Sequence, residues 1–139
     1  FLFSKGECVT AVYTLNQDGK SVKVDNSELR SDGQRKGAIG KAVCPTSEAK
    51  CTVTFDESIF SRLSKGNYWV YETDYENYSI VYSCSEYLSI FYAEFVWVLT
   101  REAKPSNEVL AKTDEALNRL GYPRENLRTR TIQGDGCKY

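Results

Sequence analysis

The residues best equipped for chemistry in this chain are five cysteines, Cys8, Cys44, Cys51, Cys84 and Cys137. None sits in a Cys-x-x-Cys pair, so neither zinc nor a dithiol redox motif is indicated. The sequence contains no histidine. That removes the usual general base, the commonest metal ligand and every Ser-His or Cys-His nucleophile pair. Five cysteines in 139 residues point instead to disulfides and an oxidising compartment. Spacing alone leaves several pairings open. Cys44 and Cys51 form the easiest local pair, across a hairpin tip, and Cys8 with Cys137 would tie the tail to an early strand. Cys84 is then left over, as a free thiol or with a partner elsewhere.

The second chemistry is that of aromatic rings set into alternating strands. In the run 90–100, Phe91, Ala93, Phe95, Trp97 and Leu99 share one face. Tyr92, Glu94, Val96, Val98 and Thr100 share the other. Glu94 assigns its face to solvent or to a covering helix, so Ala93, Phe95 and Trp97 point inward. Such rings stack on flat apolar molecules, and nearby hydroxyls or amides fix orientation.

The elements that position these groups are mostly strands. Glu7–Leu15 and Ser21–Leu29 flank a turn at Asn16-Gln17-Asp18-Gly19. Gly37–Cys44 follows the turn Ser31-Asp32-Gly33, and its two glycines suggest a bulge or bend. Cys51–Phe55 is short, and Ser58–Lys65 reads as a loop or one helical turn. Asn67–Cys84 holds two aromatic-rich, β-prone runs around a polar turn at Asp74, Glu76 and Asn77. Ser85–Ser89 reads as a link to the strand Ile90–Thr100.

Ser106–Leu120 is the one helix. Ser106 can cap it, Val109, Thr113, Ala116, Leu117 and Leu120 form a stripe at helical spacing, and Gly121 and Pro123 stop it. Arg128–Gln133 reads as a final short strand before a tail. No linker interrupts the chain, so 1–139 reads as a single domain: barrel about 7–101, helix about 106–120, strand and tail 128–139. The fold class is all-β with one flanking α-helix, an up-and-down antiparallel barrel.

Charge is balanced, with 18 Lys+Arg against 19 Asp+Glu. No basic patch favours nucleic acid, and no apolar run reaches the ~20 residues of a membrane span. Phe1 reads as a mature or truncated start rather than as a signal peptide.

Particular residues resemble the lipocalin family, in its apolipoprotein D and insect bilin-binding branch. They are Gly6-Glu7-Cys8, Gly19–Val24, Asn26–Leu29, Thr73-Asp74-Tyr75-Glu76-Asn77-Tyr78 and Val81–Cys84. Phe95–Arg101 is similar to a further family signature, in which the arginine closes the barrel base. The resemblance implies eight strands. The family's first strand, with its Gly-x-Trp, is absent here, so upstream residues are expected. They would carry the cysteine that pairs with Cys84.

The resemblance also implies the binding wall. Together with alternation it turns Tyr13, Val24 and Asn26 inward. An outward Cys84 places Val81 and Ser83 inside. The family register turns Tyr68 and Val70 inward and leaves Trp69 outside. Inward carboxylates are limited to Glu28 and Glu72.

The implied function is that of a secreted carrier of a small hydrophobic ligand, such as the bilin biliverdin. The alternatives are a lipid, steroid or fatty-acid carrier, or an interaction lipocalin (a pigment-complex subunit or inhibitor). Neither catalysis nor a required cofactor is implied, and a homo-oligomer is compatible. Asn77-Tyr78-Ser79 is a glycosylation sequon.

Overall fold

The computed structural model describes residues 6–55, 66–87, 91–122 and 128–139, with the backbone alone for 85–87 and 91. Seven strands and one helix lie among them: β1 (Glu7–Leu15), β2 (Ser21–Leu29), β3 (Arg35–Val43), β4 (Lys50–Phe55), β5 (Gly66–Thr73), β6 (Tyr78–Tyr87), β7 (Phe91–Thr100) and α1 (Asn107–Arg119). Each strand pairs antiparallel with its sequence neighbours, in the order β1 to β7. The sheet curls into a half-barrel. Tyr13 on β1 reaches Tyr68 on β5, with ring centroids 6.0 Å apart, although three strands separate them in the sheet.

Alternation gives this sheet two faces with different duties. Directly paired residues share a face, so the register traces the concave one. Tyr13 pairs with Val24, Val24 with Gly40, and Gly40 with Phe55. Cys51 pairs with Tyr68, Val70 with Val81, and Val81 with Trp97. Val24, Ala42, Cys51 and Val53 form a buried cluster there, flanked by Val22, Phe55 and Tyr68. The convex face carries Ile80, which α1 covers with Ala116 and Leu117, beside Tyr78, Val96, Leu120 and Tyr122.

The helix is built for that docking. The Ser106 side chain accepts from Val109 N–H at the first turn. At the other end Tyr122 N–H donates to Leu117 O and Gly121 N–H to Asn118 O. Gly121 takes φ +89°, as this two-bond stop requires. Glu72 then clamps the packed helix. It accepts two bonds from Arg119, at 2.8 and 2.7 Å, and one from the Tyr78 hydroxyl at 2.8 Å.

Thr73, Asp74 and Tyr75 make the β5–β6 turn by hydrogen bonding. Asp74 accepts from the N–H groups of Glu76, Asn77 and Tyr78 and from the Asn77 side-chain amide. Thr73 accepts from Tyr75 N–H and donates to Tyr78 O. Tyr75 sits at φ +65°, a left-handed position held by its neighbours' bonds. Asp18 does similar work in the β1–β2 turn, accepting from Lys20 N–H, Ser21 N–H and the Ser21 hydroxyl.

Several sequence expectations change. Residues 128–133 do not form a strand. That segment is held by scattered bonds instead, Cys8 N–H to Ile132 O and the Gln133 amide to Val9 O. β6 continues through residues 85–87 rather than ending in a link at 85–89, of which 88–89 lie outside the described residues. β2 and β3 pair without interruption, so Gly37 and Gly40 mark no bulge. The bulges fall between Glu7 and Thr10, where Cys8 takes φ 53°, and between Val70 and Glu72. The second of these turns Glu72 out to the helix rather than inward. The ambiguous stretch 58–65 lies outside the described residues.

Two outcomes follow. Ile80 is fully buried between sheet and helix, so Ile80→Ala should lower unfolding free energy by about 2–5 kcal/mol in urea titrations. The second concerns acid. The Ser21 hydroxyl, with the N–H groups of Lys20 and Ser21, lowers the Asp18 carboxyl to about 2. The Asn77 amide and the Tyr78 and Asn77 N–H groups hold Asp74 well below the usual range. Folded values under the unfolded ~3.9 mean that both contributions are complete above about pH 5 and fade as pH falls toward 2. Urea midpoints from pH 5 to 2 should therefore fall, and Asp74→Asn should flatten that slope.

Candidate ligand-binding site

All ten residues expected to line a wall fall on the concave face by register. Tyr13 and Val24 pair with each other, and Asn26 pairs with Ala11 and Ala38. Tyr68 and Val70 are two residues apart on β5, ahead of the bulge. Val81 faces Trp97, Ser83 faces Phe95, and Ala93 sits opposite residue 85. Val24, Val81 and Ser83 are buried, Phe95, Trp97, Tyr68, Val70, Asn26 and Ala93 are half-buried, and Tyr13 is exposed at 43% although its hydroxyl end turns into the wall toward Tyr68.

The aromatic part of the wall is ordered. Phe95 and Trp97 stack at 5.6 Å with 16° between their planes. Spaced two residues apart on one strand, the two rings pack on each other along the concave face. Across the hollow, the Tyr68 hydroxyl donates to the Tyr13 hydroxyl at 2.7 Å. Burial is the larger cause that pushes both phenols above their ordinary value; the hydrogen bond raises Tyr68 further and lowers Tyr13 in part. Both therefore stay neutral at physiological pH. The Asn26 side-chain carbonyl is buried and has no hydrogen-bond partner among the described residues. A buried acceptor left so costs on the order of 1–3 kcal/mol. The wall thus offers aromatic apolar area, a neutral hydroxyl pair and one acceptor ready for an N–H or O–H.

Alternation in the short strand β4 carried the signal for a further wall residue that sequence reasoning passed over. Phe55 shares the face of Cys51 and Val53 and lies over Gly40. A Cβ at Gly40 would stand 2.7 Å from the Phe55 ring and 2.8 Å from the Thr54 carbonyl oxygen, so only glycine lets β4 and that ring come this close to β3.

Other expected sites distribute as follows. Cys8 is bonded to Cys137 and Cys44 to Cys51, while Cys84 carries a free thiol. Cys84 pairs with Glu94 on the convex face, away from the hollow. Arg101 is exposed and donates to Tyr75 O at 3.2 Å, tying the end of β7 to the β5–β6 turn. Trp69 is outward and half-buried, 5.9 Å from Tyr82, which stacks on Tyr71 at 4.7 Å. No group of three metal-ligating side chains occurs among the described residues. No helix among them is long and apolar enough to cross a membrane.

Comparison with known proteins agrees with this geometry. The chain is 40% identical over 110 residues to apolipoprotein D of Macaca fascicularis, covering 78% of this chain and 56% of that protein. It is 32% identical over 127 residues to apolipoprotein D of Mus musculus, covering 91% and 66%. It therefore spans between about half and two thirds of these relatives' lengths. Among solved structures, lobster apocrustacyanin A1 superposes with a TM-score of 0.74 at 24% identity, over 95% of this chain and 69% of that one. Insecticyanin from the tobacco hornworm Manduca sexta gives 0.73 at 23%, over 95% and 70%. A sequence model of the lipocalin / cytosolic fatty-acid binding protein family matches residues 3–134, and the chain belongs to that family.

Proposed function

We propose that this chain forms the binding wall of a secreted carrier for a small, flat, hydrophobic ligand. The observation that carries the reading is the concave aromatic face, Phe95 stacked on Trp97 with the Asn26 acceptor on the same surface. Burying apolar ligand area there would contribute about 25 cal/mol per Å² before ordering costs. The bilin-binding likeness directs the choice to a tetrapyrrole such as biliverdin, whose pyrrole N–H groups suit Asn26. Colourless lipids, steroids and fatty acids fit the same apolar wall less specifically. Two disulfides accord with an extracellular home. The reading assigns no catalysis, since four cysteines are bridged and Cys84 faces outward. The relative from Homarus gammarus named crustacyanin-A1 subunit, 25% identical over 134 residues, makes an oligomeric carrier a fitting assembly.

The chain's two tryptophans make the test direct, because Trp97 is concave and Trp69 convex. Titration with biliverdin should quench Trp69→Phe, whose remaining Trp97 would touch the ligand, more strongly than Trp97→Phe, whose Trp69 is reached only by energy transfer through the sheet. Phe95→Ala should weaken binding about tenfold, the loss of one stacked ring. Quenching that survives Trp97→Phe but vanishes in Trp69→Phe would put the ligand on the convex side and end the reading.

Asn26→Ala separates ligand classes. It should weaken biliverdin by roughly three- to tenfold, one hydrogen bond, and leave a purely apolar fluorescent probe unaffected.

A further inference from the structure

We propose that Asn77 is a glycosylation site and that its sugar lies beside the start of α1. Asn77-Tyr78-Ser79 is the only Asn-x-Ser/Thr triplet in the 139 residues, so the assignment has no competitor in this chain. The structure adds accommodation to the motif. Asn77 is exposed at the tip of the β5–β6 turn, the region where attached sugars stay in solvent. A groove of about 220 Å³ opens beside it, lined by Asn77, Glu102, Pro105, Ser106 and Val109. Pro105 and Val109 give that groove an apolar floor for the ring face of a first sugar.

The turn itself tolerates the linkage. Asn77 Nδ2 makes one bond, to Asp74 Oδ2 at 2.8 Å. In the transfer, a bond forms between Nδ2 and the anomeric carbon of an oligosaccharide carried on a polyprenyl diphosphate. The carbon–oxygen bond to the diphosphate breaks, the lipid diphosphate leaves, and the amide gives up one of its two protons. The nitrogen keeps one N–H, enough for its single acceptor. The backbone bonds that define the turn, Asn77 N–H to Asp74 and Arg101 N–H to Asn77 O, are untouched.

Timing also follows from the fold. Once the hairpin closes, Tyr78 and Ser79 are paired within β6 and the Asn77 amide is held by Asp74. A transferase that needs all three residues in an open segment must act before closure, during entry into the secretory pathway. The site rests on the secretory part of the proposed function and not on any ligand.

The test uses protein collected from the medium of eukaryotic cells that secrete it. Digestion with a glycan-releasing amidase should increase gel mobility, and the peptide holding residue 77 should change from Asn to Asp in mass. Ser79→Ala should abolish both signals, and Ser79→Thr should keep them. Secreted protein that carries unmodified Asn77 throughout overturns the site, whatever its ligand titration shows. Absence of biliverdin binding with Asn77 glycosylated removes the carrier reading alone.

Discussion

Burial of β6 on both sides is the constraint on which the rest of the structure depends. Ile80 and Val81 are consecutive and both fully buried, one under α1 and one in the hollow. A strand in that position cannot slip by one residue without driving both into the wrong surroundings. Its neighbours inherit the register. Trp97 and Phe95 are fixed against Val81 and Ser83, and Val70 is fixed from the other side. The helix therefore helps define the concave wall from the opposite side of the sheet. Glu72 and Arg119 reinforce the arrangement at the surface, where such a bond adds orientation more than stability.

The hairpin turn is the second fixed point. Asp74 gathers three backbone N–H groups and a side-chain amide. A carboxylate with that many donors sets the turn's geometry closely. Because the turn joins β5 to β6, its geometry passes directly into the strand that everything else measures itself against. The long link between Cys8 and Cys137, 129 residues apart in sequence, works at the other margin. By limiting the unfolded chain it stabilises by roughly 2–5 kcal/mol.

Much of this was legible in the residues. β1 and β2 begin and end where expected because Asn16–Gly19 marks their turn, and α1 has both its cap and its glycine stop. The inward side of β7 was readable because Glu94 breaks an otherwise apolar alternation. β5 was not, since Tyr68 and Val70 on one face and Trp69 and Tyr71 on the other are equally apolar. Only the curl of the sheet separates them. The bulge after Val70 was hidden because the contact it serves, Arg119 on Glu72, lies 47 residues away in sequence. Residues 128–133 looked like a strand, but one backbone bond and scattered side-chain bonds hold them instead of a ladder. Gly37 and Gly40 suggested a bend, whereas Gly40 serves a neighbour's ring.

That last contact has a consequence for how the cavity could diverge. Phe55 occupies its place only because position 40 is bare. A single methyl there would meet both that ring and the Thr54 carbonyl oxygen, at 2.7 and 2.8 Å, so β4 would have to draw away from β3 to admit it. The spacing of two neighbouring strands, and with it the curvature of the concave face, thus depends on one missing side chain.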